Sequence, residues 1–211
     1  MDHDTIISSL QQLGAATVGE SGGEAMRDRV RPAWRGAQVI GLAVPVVCTP
    51  GDNLAIHVAV AQAPAGSVLV VNVGDIPELG YWGEVLTTGA QARGIAGLVI
   101  DGGVRDIDAL QRLGFPAFSS TIALRGASKI RPGSVGSTTS VGGVEVKLGD
   151  WVVGDADGVT IADGATIEDI IAAGRERAQA ERRYFEQLRA GSTTVQLLEL
   201  DETAVKVTLT D

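Results

Sequence analysis

The sequence predicts an α/β fold in which mixed sheets are flanked by helices. Short, wholly apolar runs such as Ser67–Val73 (SVLVVNV) and Ala96–Ile100 (AGLVI) have the length and composition of strands buried on both faces. Segments with apolar residues at helical spacing lie between them, so residues 53–120 alternate strand and helix, as βαβ units with parallel pairing do. From Val141 to Ala162 the texture changes to period-two alternation broken by Gly-Asp and Asp-Gly pairs, which predicts antiparallel hairpins.

Taken in order, Asp4–Leu13 is an amphipathic helix capped by Asp4, with Ile6, Ile7, Leu10 and Leu13 on one face. Gly19–Arg35 is polar and glycine-rich and reads as a loop. Gln38–Thr49 has strand character; Pro45 within it points to an edge or a bulge, because proline has no N–H to give a ladder. Pro50-Gly51-Asp52-Asn53 is a turn signal, and a helix follows over Leu54–Ala63. After the run at 67–73, Gly83-Glu84 opens a helix that extends to about Arg93. The strand Ala96–Ile100 leads into a polar turn, Asp101–Asp106 (DGGVRD). Ile107, Leu110 and Leu113 then mark a helix that Asp106 is placed to cap. Pro116–Ser119 is a further short strand. Thr166–Ala190 is a long helix, with Thr166 as cap and Asp169 three residues on in a variant of the capping box. Thr193–Thr210 alternates only loosely and reads as an edge strand or a tail. No composition break divides the chain, which predicts one domain over residues 1–211 with 193–211 as a C-terminal extension.

Composition narrows the function. Glycine supplies 28 of 211 residues, against a usual share of ~7%, which implies many tight turns and close backbone approaches. A formal charge of −9 argues against nucleic acid as the main partner, since phosphate binding needs clustered Lys and Arg. The single cysteine, Cys48, allows no disulfide framework, and neither a signal peptide nor a long apolar span is evident; a cytoplasmic protein with no membrane partner is expected. With one cysteine and two histidines, a Cys/His zinc site is close to excluded, so any metal would be held by oxygen, which points to magnesium or manganese.

The residues with chemical potential cluster where a buried strand ends and a helix begins, the edge at which open α/β sheets bind ligands. Asp101, Arg105 and Asp106 fall within six residues there. Glu84 lies in the first turn of its helix. If strands 67–73 and 97–100 are neighbours, their carboxyl ends bring Glu84 and the Arg105-Asp106 pair to one cleft. Backbone amides at Gly83–Val85 together with Arg105 are then placed to grip a carboxylate or keto oxygen. Asp106, with Glu84 nearby, is placed to hold a divalent cation largely through waters. Glu181 falls inside the apolar stripe of the long helix, where a carboxylate must meet a cation, a metal or a subunit boundary. His57 follows Asn53 by four residues, so on a helix they share a face; a satisfied structural histidine is the default for it. Lys147 sits on the polar face of a strand, which argues against imine chemistry.

The segments Thr49-Pro-Gly-Asp-Asn-Leu-Ala-Ile-His57, Gly83-Glu84, Asp101-Gly-Gly-Val-Arg-Asp106 and Leu113-Gly-Phe-Pro116 resemble the RraA-like superfamily. Within it they are most similar to the 4-hydroxy-4-methyl-2-oxoglutarate / 4-carboxy-4-hydroxy-2-oxoadipate aldolases, and Gly149-Asp150-Trp-Val-Val and Asp157-Gly158-Val match the downstream part. The resemblance implies a compact, swivelling-domain-like α/β sandwich that forms a homotrimer or a dimer of trimers, with active sites at subunit interfaces. It also implies a pyruvate aldolase dependent on Mg2+ or Mn2+, with oxaloacetate decarboxylation as a second activity. In that reading Arg105, Asp106 and Glu84 are catalytic. Asp106, Glu84 and a neighbour's Glu181 hold the metal, while Gly83, Glu84, Val85, Arg105, Asn53 and His57 bind a small-molecule 2-keto acid. The superfamily also contains non-catalytic regulators that bind a ribonuclease or helicase. These typically carry Gln after the arginine, where this chain has Asp106.

Overall fold

In the computed structural model, which describes residues 1–208, the apolar runs assemble into a curved mixed sheet with helices on its outer face. The chain starts with α1 (His3–Glu20), passes two short edge strands, β1 (Glu24–Ala25) and β2 (Arg31–Pro32), and enters the long β3 (Val39–Cys48). Crossover units follow. α2 (Leu54–Gln62) leads to β4 (Ser67–Asn72); β5 (Gly80–Trp82) and α3 (Glu84–Ala92) lead to β6 (Gly97–Val104); α4 (Ile107–Arg112) leads to β7 (Ala117–Ile122). Strands β3, β4, β6 and β7 lie side by side and parallel. β8 (Gly133–Val135) folds back antiparallel on the end of β3, and β9 (Thr139–Val141) and β10 (Val144–Val146) form a separate hairpin. β11 (Trp151–Asp155) and β12 (Gly158–Ala162) extend the sheet antiparallel beyond β3, before α5 (Ile167–Arg189) and the short α6 (Thr194–Leu197).

The two-residue period explains why β4 and β6 read as unbroken apolar runs. Val68, Val70 and Val99 face inward, where Phe118, Val152 and the hairpin residues Val141, Val144 and Val146 meet them. Leu69, Val71, Leu98 and Ile100 face outward beneath α2, α3 and α4. Further along the same outer face, α1 and α5 cover β11 and β12 through Leu10, Val18, Trp151, Ile167, Ile170 and Ile171. Among the described residues no helix is long and apolar enough to cross a membrane.

Several expectations are corrected. Pro45 lies in an interior strand: β11 pairs with β3 over Val39–Leu42 and β8 over Val46–Cys48. Pro45 falls in the interval between these partners, where no N–H is needed, and its carbonyl accepts the Gly136 amide at 2.8 Å. The first helix is capped by Asp2 rather than Asp4, and it continues to Glu20 because Gly14, at φ 76° and ψ 167°, joins two helical segments. Residues 19–35 contain β1 and β2 rather than loop alone. Thr166 occupies the N-cap position of α5 but makes no capping bond. Among the described residues of the C-terminal extension there are short helical turns and no strand; Leu209 to Asp211 lie outside the described residues.

Candidate active site

Asp101 is not a turn residue. β6 runs on through Asp101-Gly102-Gly103 to Val104, and Asp101 turns away from the strand end to meet Arg29, whose Nε donates to it at 2.9 Å. Burial opposes its charge, but the Arg29 guanidinium outweighs it and holds the carboxyl below its usual range. The strand ends at Val104, and the next amide, that of Arg105, donates to the Trp82 carbonyl of β5 at 2.9 Å. Asp106 then takes the left-handed conformation, φ 57° and ψ 40°. Few side chains tolerate this region, and a short carboxylate able to bond locally is among them.

Asp106 holds the N-cap position of α4, yet its carboxylate makes no bond to that helix. Its Oδ2 instead accepts the backbone amide of Glu84 at 2.9 Å, capping α3 and joining the starts of the two helices. Gly83 permits this closeness: a Cβ there would lie 2.4 Å from Asp106 Oδ2 and 3.0 Å from Arg105 Cγ.

These residues form one wall of a cleft of about 150 Å3, which Asn53, His57, Val85 and Lys129 also line. Six of the sequence-predicted site residues therefore converge: Asn53, His57, Gly83, Val85, Arg105 and Asp106. The Arg105 side chain is 43% exposed; its Nε lies 3.8 Å from Asp106 Oδ2 and its Nη1 reaches the Leu124 carbonyl only at 3.5 Å, so the guanidinium is free to take a ligand. Val85 and Leu86 line the cleft at the start of α3, where amides have no intrahelical acceptor. The glutamates are placed differently. Glu84 contributes its amide, but its carboxylate is drawn to Arg112 Nη2 at 2.9 Å. Glu181 sits on α5, along the α1 side of the sheet, bound to Arg177 Nε at 3.0 Å. Its stripe is buried only as far as Gly174; Phe185 is 48% exposed.

Two features escaped the sequence reading. Lys129 belongs to Arg125–Arg131, a segment with three basic residues in an acidic chain, which was the available signal. Asp52 is buried and pins that segment over the cleft: it accepts from Ser128 Oγ at 2.6 Å and from the amides of Ile130 (2.7 Å) and Arg131 (3.1 Å), and also from Leu54 (2.8 Å). Burial works against its charge, but these bonds outweigh it and hold the carboxyl far below its ordinary value. Because the folded pKa lies below the unfolded one, this contribution to stability is complete above ~pH 4 and is lost as pH falls toward the folded value. Asp52→Ala is expected to cost roughly 2–4 kcal/mol and to loosen the Lys129 segment, measured by chemical denaturation and hydrogen exchange at Ile130.

Burial, and secondarily the Lys129 charge, lower the pKa of His57, which favours the neutral ring. A larger cavity of about 290 Å3 lies between α1, β3 and β11, but its one ionisable lining residue, Asp155, is engaged by the Ala15 amide at 2.8 Å. The cleft at Arg105 is the better candidate because its polar groups are unspent. Its donors also discriminate among metals. Among the described residues no three His, Cys, Asp or Glu side chains converge, so a zinc-type ligand set is not built. Asp106 is the one carboxylate among the residues lining the cleft, a donor set that suits a hydrated magnesium ion keeping most of its waters, while the Glu84 carboxylate is paired with Arg112.

The family model described as RraA-like (Aldolase/RraA) matches residues 11–161. A protein of Halalkalibacterium halodurans named "Putative 4-hydroxy-4-methyl-2-oxoglutarate aldolase" is 35% identical over 155 residues, 73% of this chain and 74% of its own. An uncharacterized protein from Pseudomonas syringae has a crystal structure that superposes with a TM-score of 0.82 at 26% identity, covering 92% of this chain and 93% of that one. The RNA-processing inhibitor RraA from Thermus thermophilis superposes with a TM-score of 0.61 at 26% identity, covering 66% of this chain and 85% of that one. The matched residues take in the cleft, nearly all of the sheet and helices α2 to α4, and the chain belongs to the RraA-like family.

Proposed function

We propose that this chain is a divalent-metal-dependent aldolase that cleaves 4-hydroxy-2-oxo di- and tricarboxylic acids to pyruvate and a second keto acid. The observation that carries the reading is the convergence of a half-exposed Arg105, the Asp106 carboxylate and the open amides of α3 in one cleft. The amides of Val85 and Leu86 bind the substrate carboxylate, and the Arg105 guanidinium donates to the C2 keto oxygen. As the C3–C4 bond breaks, its electron pair moves toward C2 and the negative charge gathers on the oxygen that Arg105 faces. The C4 hydroxyl gives up its proton to an ordered water, C4 becomes the carbonyl of the second keto acid, and C3 gains a proton to complete pyruvate. Asp106, with Glu84 and a neighbouring copy's Glu181 acting through waters in a homotrimer or a dimer of trimers, would hold Mg2+ or Mn2+. When bound, that ion adds positive charge near the keto-acid oxygens. Oxaloacetate leads to the same charge distribution on loss of CO2, so decarboxylation is the expected second activity.

The test is a pyruvate-release assay with 4-hydroxy-4-methyl-2-oxoglutarate and with oxaloacetate, run with added magnesium and with EDTA. Turnover with magnesium and its loss in EDTA are expected. The likeness to an RNA-processing inhibitor supports a second reading, a non-catalytic regulator of a ribonuclease or helicase. No turnover of either substrate at any magnesium concentration, together with capture of one such enzyme, would favour that reading.

A further inference from the structure

Among the described residues, the most exposed large apolar side chains fall in two places. Leu124 (87%), Ile130 (84%) and Val85 (82%) stand in or beside the segments that line the Arg105 cleft. Val207 (69%) and Val205 (66%) follow, and both belong to the C-terminal extension, where Leu198 and Leu200 are half exposed as well. Apolar area left open in two patches of this kind marks an interaction surface. The two patches are opposite in charge. The rim segment carries Arg125, Lys129 and Arg131 and no acid, whereas residues 193–208 carry Glu199, Asp201 and Glu202 against Lys206.

The extension has a shape fixed by its own sequence. Thr193 and Gln196 form a capping box at the start of α6, and the Leu200 amide returns to the Val195 carbonyl at 3.0 Å, with Glu199 left-handed at φ 51° to close the far end. A helix of four residues does not hold in water by itself. Yet neither α6 nor the turn at Glu202–Ala204 buries a residue. A capped turn that presents leucines therefore needs a surface from elsewhere. Its own cleft is badly placed to supply one: α5 rests on β11 and β12, the cleft is built at β5 and β6, and β3 and β4 lie between. From Arg175 onward α5 buries nothing and runs on for about 22 Å before the extension begins.

We propose that residues 193–208 of one copy dock on the cleft rim of a second copy. Leu198, Leu200, Val205 and Val207 cover Val85, Leu124 and Ile130, and the carboxylates face Arg125, Lys129 and Arg131. Two unlike patches that meet in this way make a heterologous contact, which a closed ring of copies satisfies without a loose end. Each extension then bounds a neighbour's cleft. The proposal rests on the oligomer in the reading above and not on its chemistry, and it assigns a role to residues that lie beyond the family match.

The experiment places Leu200→Cys and Ile130→Cys in one full-length chain, oxidises it gently, blocks free thiols and separates the chains on a non-reducing denaturing gel. Cys48 stays in place, because it is buried and burial pushes its thiol up to about 12. More than about half of the chains are expected to be joined to another chain, while each single variant stays unjoined. Glu199→Lys with Glu202→Lys should cut the yield about 10-fold, and so should Arg125→Glu with Arg131→Glu; the four together should return it to within about 2-fold of the starting value. All of these positions are exposed, so the fold is not at stake. A disulfide that closes within one chain, no disulfide at all, or a yield indifferent to charge reversal would overturn the docking. None of these readouts depends on turnover: pyruvate release without the cross-link would overturn the docking and leave the aldolase reading intact, and the cross-link without pyruvate release would do the reverse.

Discussion

Arg105→Ala is expected to lower kcat for pyruvate release by about 10³-fold, close to 4 kcal/mol of lost charge stabilisation, with both substrates affected alike. The size follows from what the guanidinium faces. It stands in a cleft with Asp106 Oδ2 3.8 Å from its Nε, and the other cation lining that cleft, Lys129, has its ammonium on the Ala127 carbonyl of its own segment at 3.3 Å. The fold does not depend on the side chain. The strand-end contact is made by the Arg105 amide to Trp82, which alanine keeps, and the side chain gives up only a 3.5 Å contact to Leu124 and an exposed pairing with Asp106. Thermal stability should therefore shift by less than ~1 kcal/mol. Arg105→Lys restores a charge without the planar fork and should recover about one tenth of the activity rather than all of it. A variant that keeps more than about a tenth of wild-type kcat as alanine would remove Arg105 from the chemistry.

Much of this was legible before any coordinates. Strands β4 and β6 announce themselves as runs buried on both faces, and Gly83-Glu84 and Asp101–Asp106 mark strand ends that a parallel sheet must bring together. Where the reading failed, a local rule lost to a tertiary one. Asp106 looked like the cap of its own helix because caps are recognised by sequence position. Its left-handed backbone instead turns the carboxylate to the next helix, a contact made across 22 residues. Asp101 looked like a turn residue beside two glycines. It lies in a strand, where Gly103 serves close packing: a Cβ there would sit 2.4 Å from the Leu79 carbonyl. Pro45 looked like an edge because interior ladders seldom tolerate it, and only the placement of β11 and β8 along one side of β3 reveals the gap it occupies. Lys129 and the Asp52 tether were invisible because they join segments separated by 76 to 79 residues, and no spacing rule spans that distance.

The Asp106 substitutions separate strain, capping and charge. Asn tolerates the left-handed backbone and can still accept the Glu84 amide, so Asp106→Asn should fold with stability within ~0.5 kcal/mol of wild type. Asp106→Gly keeps the backbone but abandons the cap, at a cost of about 1 kcal/mol plus the entropy of glycine. Asp106→Ala loses the cap and must also hold φ at 57°, which adds roughly another 1–2 kcal/mol. Stability therefore falls in the order Asn, Gly, Ala. Activity does not follow that order, because all three lack the carboxylate charge: each should lose about 10²–10³-fold in magnesium-dependent pyruvate release, and calorimetric titration of magnesium into each should show weakened binding. An Asn variant that turns over at near wild-type rate would mean that Asp106 serves only as the joint between two helices, whereas activity that tracked stability across the series would point to positioning of Arg105 as its whole contribution.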